Sequence, residues 1–551
     1  MLVEAGGHGA PLPLVDLGLR PHVPEVVRRN GIKEVFLVQP RRPHEGNFEL
    51  VAIPRQGMLF LSSALRDHEG PYVYNRSIWF EDRAGRLDPD RDLQGVDILL
   101  VTALINETPG AYEIARLAKE AHPNIKIVGG GPQMGMLPSE AFERAPFDVI
   151  VQGEGEYTIG DICDVLLTRE KPDERNRELR KIGGLTFMED GHLERVPQTP
   201  TIRMLMLKPD RAVVLPDFDS IVDLTRKNPM AGGVVETTRG CTESCSYCEV
   251  IRQFPGYRRV DPATEIKRLL QVVDLADRGL IAKSPGGQIP VFISDDLHAP
   301  PIHATKFHED RLARAHNWRE AFLAQGIDPR DQFFFTSQNR AELGSDPQMM
   351  DAFVGVGMRM VYLGVESNDA RNLAAVNKRQ NERQMSDDLD ALKARGIHVV
   401  AMTIIGLPYD TRERVMEMAD WIREHSHYQT ANLLTPLPDT INWPTTAGGS
   451  RKTDDDHLLL LNRDGELLNG SGYPQPGGEL PPYELFTGRQ FVYQDHANRG
   501  GGEGWSMKES REIYNAYTAK LKPVDRLYEA IFKRIERQAE KTGGAVPHRV
   551  E

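Results

Sequence analysis

The chain has 551 residues, enough for two or three cores rather than one. It carries 67 basic against 80 acidic residues, a net charge of −13, which argues against a nonspecific nucleic-acid binder because such proteins show a basic balance or stripe. No apolar run approaches the roughly 20 residues of a bilayer span, the N-terminus lacks a secretory leader's basic head and apolar centre, and four cysteines do not make a disulfide framework. The expected compartment is the reducing cytoplasm.

Residues 1–30 read as an irregular arm. From there to about 165 short β-type runs alternate with helical stretches: EVFLVQP (34–40), the helix GMLFLSSALRDHEG (57–70), DILLVTA (97–103), the helix PGAYEIARLAKEAHP (109–123), IKIVGGG (125–131) and DVIVQGEG (148–155). Apolar strands alternating with helices predict a doubly wound, Rossmann-like parallel sheet over 31–165. Its ligand is expected beyond the carboxyl ends of the strands, where the glycines lie. Glycine there lets backbone approach a bulky ligand without a Cβ in the way. Neither glycine loop is a dinucleotide fingerprint, so the pair alone suits any nucleotide or flavin.

A bridging segment of mixed charge (166–229) follows, with a hairpin pattern at GGLTFMEDGHLERV. Six further β-type runs then start at 233, 290, 332, 360, 398 and 429, separated by helical stretches. This pattern predicts a full or partial (β/α) barrel over 230–445, with its site at the strand C-terminal ends. The C-terminal region, 446–551, is rich in glycine and proline to about 505 and helical from 507. Its GRQFVYQDHANRGGGEGW stretch (488–505) reads equally as a substrate cover or as a surface loop. The Arg41-Arg42 and Arg258-Arg259 pairs read as solvated surface charge, though both are compatible with an anionic small molecule.

Three of the four cysteines fall inside CTESCSYC, residues 241–248, directly after the first barrel strand. Cys241, Cys245 and Cys248 have C-x3-C-x2-C spacing. Structural zinc normally takes four ligands in paired knuckles; no second C-x2-C exists here, and His298 is distant. An odd count in a reducing compartment disfavours a disulfide. Three thiolates fit a [4Fe–4S] cubane with one iron left open, able to bind a substrate as well as pass electrons. Cys163, in the helical apolar pattern GDICDVLL, reads as a buried small hydrophobe.

The triplet, with Tyr247 before its last cysteine, resembles the signature of the radical S-adenosylmethionine (SAM) enzymes. Phe292-Ile293-Ser294-Asp295-Asp296, Gly364-Val365-Glu366-Ser367 and Ile405-Gly406-Leu407-Pro408 resemble that family's second-, fourth- and fifth-strand motifs. The likeness implies a cluster whose open iron chelates SAM, with Tyr247, Ser294, Asp295, Glu366, Ser367 and Gly406 at the SAM site, Tyr247 near the adenine and Glu366 at the amino or ribose groups. Read without it, Glu366 equally caps a strand end and Gly406-Leu407-Pro408 is an ordinary turn.

Ahead of such a core, GGGPQMGMLP (129–138) and VQGEGE (151–156) resemble the cobalamin-binding domain of the family's B12-dependent members. The resemblance then spans residues 30–445. It implies cobalamin contacts from Thr102, Asn106, Glu107, Gly129, Gly130, Gly131, Pro132, Gln133, Gly153, Glu154, Gly155 and Glu156. The loop after the first strand (39–46) departs from the D-x-H-x-x-G motif of another class of cobalamin domain; His44 reads as a solvated loop residue, so cobalt is expected without a protein histidine ligand. The activity implied is methylation of an unactivated carbon through a 5′-deoxyadenosyl radical and methylcobalamin. The alternative is oxidative cyclisation or ring rearrangement without methyl transfer, as in the anaerobic cyclase of chlorophyll synthesis. A non-catalytic cobalamin or cluster sensor would leave the barrel motifs without a purpose. The chemistry also implies a small or medium organic substrate and a flavodoxin- or ferredoxin-type electron donor.

Overall fold

The computed structural model describes residues 31–41, 55–104, 107–198, 215–254, 256–284, 286–296, 304–434, 437, 459–461, 467–469 and 507–522. The N-terminal arm, His44, Asn106, His298, the 488–505 stretch and the helical pattern beyond 522 therefore lie outside the described residues.

The first sheet has seven strands: β1 (Ile32–Gln39), β2 (Val73–Phe80), β3 (Ile98–Thr102), β4 (Lys126–Gly130), β5 (Val149–Val151), β6 (Leu185–Glu189) and β7 (His192–Val196). Their spatial order is β2-β1-β3-β4-β5-β6-β7, parallel through β5 and antiparallel after it. The first five follow the flavodoxin-like order, whose switch point lies between β1 and β3. The hairpin expected near 183–196 forms and extends this sheet past residue 165. β2 departs from the expectation. Its sequence, VYNRSIWF, breaks the apolar run with Asn75, Arg76 and Ser77, which a strand tolerates at the sheet edge.

Helix α1 (Gln56–Arg66) crosses from β1 to β2, α2 (Thr108–Ala121) from β3 to β4, and α3 (Ile159–Thr168) follows β5. α2 starts with Pro109 in its first turn, where a missing N–H costs nothing. One face of the sheet packs on α2 through Leu99, Val101, Ala111 and Tyr112. The other face packs on α1 and α3, and its apolar cluster, which includes Cys163, runs without interruption into the barrel.

The second sheet has six parallel strands in chain order: β8 (Gly233–Val235), then, after a short ribbon of β9 (Thr238–Arg239) and β10 (Arg258–Arg259), β11 (Ile289–Asp296), β12 (Phe333–Asn339), β13 (Met358–Glu366), β14 (His398–Ile405) and β15 (Tyr428–Leu433). The order is linear, with β8 and β15 at the two edges, so the barrel is the partial (β/α)6 type. Helices α4 (Pro262–Asp277), α5 (Ala304–Leu323), α6 (Pro347–Gly355), α7 (Glu382–Ala394) and α8 (Arg412–His425) alternate with the strands. α9 (Met507–Lys520) packs Ile513, Tyr514 and Tyr517 against α8 and β15, covering that edge.

Residues 215–230 stitch the two sheets together. Ile221 bridges Ile78 on β2, Asp217 accepts from Ser62 on α1 at 2.7 Å, and Gln271 on α4 donates to the Pro216 carbonyl at 2.9 Å. No described helix is long and apolar enough to cross a membrane.

Candidate functional site

The cysteine loop begins where β9 ends and returns at β10, so the ribbon forms its neck, Arg239 standing opposite Arg258. Gly240 opens the loop at φ +81, a left-handed conformation that L side chains rarely adopt. Only glycine fits here: a Cβ would overlap the Gly256 carbonyl oxygen and stand 2.9 Å from that of Phe254. Cys245 is buried, and Cys241 and Cys248 are half-buried. The Glu243 N–H points at the Cys241 sulfur (3.4 Å), and the Cys248 N–H donates to the Cys245 carbonyl (3.2 Å). Among the described residues no three His, Cys, Asp or Glu side chains meet as ligands of a single ion would; thiolates on separate irons of a cubane are spread more widely.

Residues beyond the barrel strands hold this loop from outside. Asn377 donates to the Ser244 carbonyl (3.0 Å) and hydroxyl (2.7 Å), and the Ser246 N–H donates to the Val376 carbonyl. Arg340, just past β12, pairs with Glu243 at 3.4 Å and Glu342 at 2.7 Å. These contacts were invisible in the sequence, since Arg340, Asn377 and their partners share no local motif.

Two strands, separated by β12, break register at the mouth. β11 bulges between Ile293 and Asp296, which places Ser294 and Asp295 in the irregularity, and β13 bulges between Gly364 and Glu366. Such irregularities re-aim side chains next to sites. Glu366 itself has φ +61, a conformation of real cost for a non-glycine residue. Its carboxylate accepts from the Tyr247 hydroxyl at 2.9 Å and pairs with Lys378 at 3.0 Å. A Cβ at Gly364 would lie 2.7 Å from the Glu366 carboxylate and 2.8 Å from the Lys378 ammonium, so any side chain there would displace this pair. Burial works to lower the Lys378 pKa, but Glu366 and Cys245 outweigh it and hold the group above its ordinary value, as a cation. Burial pushes the Cys245 and Cys248 thiols up, with Lys378 opposing. The Tyr247 phenol is pushed far up by burial and then by Glu366, so it stays a neutral donor.

Ser367 turns inward, accepting from the Asp369 N–H at 3.1 Å. At the end of β14 the Gly406 and Leu407 N–H groups both donate to Asp410 at 2.9 Å, and Asn372 donates to its other oxygen at 2.7 Å. Burial pushes the Asp410 carboxyl up to about 7 against the pull of these donors. The structure thus brings Tyr247, Glu366, Ser367 and Gly406 to one mouth beside the cysteines, and adds Lys378, Arg340 and Asp410.

In the first sheet, Thr102 and Gly129–Gly131 end adjacent parallel strands. Gly131 has φ +91, and a Cβ there would stand 2.6 Å from the Thr102 hydroxyl. Gln133, on the short helix Pro132–Met136, is 1 % exposed, and neither amide atom has a hydrogen-bond partner. Glu107 turns inward: Arg55 donates to it at 2.8 Å, Gln39 at 3.3 Å and the Leu104 N–H at 3.0 Å. Its carboxylate therefore ties β1, α1 and the loop after β3 together at the switch point.

Glu154 and Glu156 are held by ion pairs. Their carboxylates turn to the barrel: Glu154 pairs with Arg258 and, at 2.8 Å, with Arg239, while Glu156 pairs with Arg239 at 2.5 Å. Arg258 is correspondingly no solvated surface charge, its side chain being 10 % exposed; Arg259 pairs with Asp310 at 2.9 Å. Sequence spacing alone had no way to show that carboxylates near residue 155 meet guanidiniums near 239 and 258.

Comparison with known proteins agrees with this geometry. The Radical SAM superfamily model matches residues 235–422 and the B12 binding domain model residues 54–162. An uncharacterized methyltransferase of Pyrococcus horikoshii is 26 % identical over 71 % of this chain and 78 % of its own length. The anaerobic magnesium-protoporphyrin IX monomethyl ester cyclase of Rubrivivax gelatinosus is 26 % identical over 63 % of this chain, which spans only 56 % of that relative. Among solved structures, the radical SAM methyltransferase TsrM of Kitasatospora setae, with cobalamin and a [4Fe–4S] cluster bound, superposes with a TM-score of 0.59 at 16 % identity, covering 93 % of this chain and 99 % of that one, a likeness of fold. A B12-binding sheet followed by a six-stranded radical SAM partial barrel, each with its motifs at the expected strand ends, leaves one assignment: the chain belongs to the radical SAM enzymes that carry a cobalamin-binding domain.

Proposed function

We propose that the protein is a cobalamin-dependent radical SAM methyltransferase that methylates an unactivated carbon of a small or medium organic substrate. The observation that carries this reading is the joining of the two sheets. One uninterrupted apolar core spans both, and the Gly153–Glu156 turn lies against the neck of the cysteine loop. A corrin seated on the first domain and a cluster seated in the barrel would then serve one enclosed substrate.

The residues present fit these groups. Three thiols on one eight-residue loop, with no fourth ligand close in sequence, suit a cubane with an open iron. The orphaned Gln133 amide, buried at the glycine-rich end of β4, awaits a polar partner, as an amide-fringed corrin provides. Cys241, Cys245 and Cys248 would hold the cluster; Tyr247, Ser294, Asp295, Glu366, Ser367, Gly406 and Lys378 would surround SAM; and Thr102, Gly129–Gly131, Pro132, Gln133, Gly153 and Gly155 would border the corrin. When bound, these groups supply a hydrogen-abstracting carbon radical and a transferable methyl group. The chain's own part is to orient them. Glu366 presents a carboxylate fixed by Lys378 and Tyr247, and the Asp410 carboxylate holds the Gly406-Leu407 backbone in place. The loop after β3, residues 102–108, has no histidine, so it would offer cobalt no imidazole ligand. Reducing equivalents come from a flavodoxin- or ferredoxin-type donor in the cytoplasm.

The cyclase relative supports the competing reading, oxidative cyclisation without methyl transfer. Incubation with SAM deuterated at its methyl group, reductant and candidate substrates decides between them. Labelled product supports transfer. Deoxyadenosine together with an oxidised but unlabelled product favours the cyclase reading.

A further inference from the structure

The carboxylates of the Gly153–Glu156 turn belong to a buried network that crosses between the two domains. Arg239 pairs with Glu154 at 2.8 Å, Glu156 at 2.5 Å and Glu236 at 2.9 Å, and Arg258 completes Glu154. Arg268, 1 % exposed, donates to the Glu236 carbonyl at 2.7 Å. Three carboxylates thus meet three guanidiniums, leaving no net charge. Phe60, from α1 of the first domain, seals the network, its ring 5.3 Å from the Arg239 guanidinium and 4.8 Å from that of Arg268. Glu154, Glu156 and Phe60 come from the cobalamin-binding side. Glu236, Arg239, Arg258 and Arg268 come from the barrel.

The placement gives the network a purpose. Arg239 and Arg258 face each other across the ribbon that forms the neck of the cysteine loop, and Arg239 is two residues from Cys241. Gripping both arginines fixes the neck against the glycine turn of the first domain. Ion pairs this dry contribute geometry more dependably than stability, because desolvation offsets much of their attraction.

We infer that Glu154 and Glu156 are positioning residues: their ion pairs to Arg239 and Arg258 form a clamp that sets the distance between corrin and cluster, and they do not contact the corrin. This rests on the function proposed above, with both groups bound.

The test compares wild type with Glu154→Gln/Glu156→Gln, with Glu156→Gln alone, and with the charge-inverted Glu154→Arg/Arg258→Glu. Iron, sulfide and cobalamin content is measured first, followed by the dipolar distance between the reduced cluster and cob(II)alamin by pulsed electron paramagnetic resonance. Wild type should give one narrow distance. The double variant, at unchanged cofactor content, should give a distribution broadened by roughly twofold or more, since a site whose supporting contacts are lost loosens by about an ångström. Charge inversion should restore part of the narrowing. Amide hydrogen exchange on the cofactor-free protein supplies an independent reading: 153–157 and 238–241 should lose protection together, about tenfold, in the double variant or, if that does not fold, in Glu156→Gln. Unchanged width and unchanged exchange would overturn the clamp. So would loss of cobalamin with exchange unchanged, which would make the carboxylates corrin contacts. Wild type that takes up no cobalamin would instead refute the proposed function, while the exchange data still decide the clamp.

Discussion

Replacing Gly240 with alanine puts the cysteine-loop geometry to the test at one atom. The residue sits at φ +81, and the added Cβ would overlap the Gly256 carbonyl oxygen and approach that of Phe254 to 2.9 Å. Left-handed backbone costs an L residue about 1–2 kcal/mol, and forcing a methyl group into occupied space costs about 1–3 kcal/mol more. Both obstacles are backbone, so the strain is relieved only by moving the 254–256 turn or by rotating Gly240 out of its conformation, and either displaces Cys241. A shift of about 1 Å in a supporting element is enough for a loss of about 100-fold in rate. Gly240→Ala should therefore fold with a lowered midpoint in anaerobic urea denaturation, take up less iron and sulfide on reconstitution, and cleave SAM reductively about 100-fold more slowly or worse. A variant with full cluster content and wild-type cleavage would show that the neck does not set the cysteine geometry.

Lys378→Met strips Glu366 of its cation in a site where both side chains are 10 % exposed, and loss of such a partner costs about 3–5 kcal/mol. Lys378→Met/Glu366→Gln should recover part of that in denaturation of the cofactor-free protein; strictly additive single effects would show the two are uncoupled. Gln133→Leu should weaken cobalamin binding about tenfold, the loss of one net hydrogen bond, without lowering the melting temperature of the cofactor-free protein; unchanged affinity would leave the orphaned amide without its partner. Asp410 tests the pH dependence. Its folded pKa, about 7, lies above the ordinary 3.8, so the folded state holds the proton more tightly than the unfolded chain. That contribution is complete below the ordinary value and is lost as pH rises through the folded one, so stability should decline between about pH 4 and 7 in wild type but not in Asp410→Asn. Parallel pH profiles for the two proteins would refute the assignment.

The parallel strands were legible because strands buried on both faces read as short apolar runs punctuated by glycine, as EVFLVQP, IKIVGGG and MVYLGVES do. β2 was not, because an edge strand stitched to residues 220–222 tolerates Asn75, Arg76 and Ser77 in its middle. The cysteine loop, Glu366 and Gly406 were legible because each sits in a compact local motif. Lys378, Arg340, Asn377 and Asp410 were not: each reaches the mouth from the loop beyond a strand, and nothing local distinguishes a lysine that meets a carboxylate from one that meets water. The ion pairs of Glu154 and Glu156 with Arg239 and Arg258 were illegible for the same reason. A glycine turn records that backbone approaches something closely, but which face its side chains take depends on the domain packed against it.

The most direct check of the whole account is elemental and optical analysis of one anaerobically reconstituted sample. The sample should hold about four iron and four sulfide per chain together with about one equivalent of bound cobalamin, the iron lost on replacing Cys245 with alanine and the cobalamin retained. Zinc in place of iron and sulfide, or a first domain with no affinity for cobalamin, would contradict it.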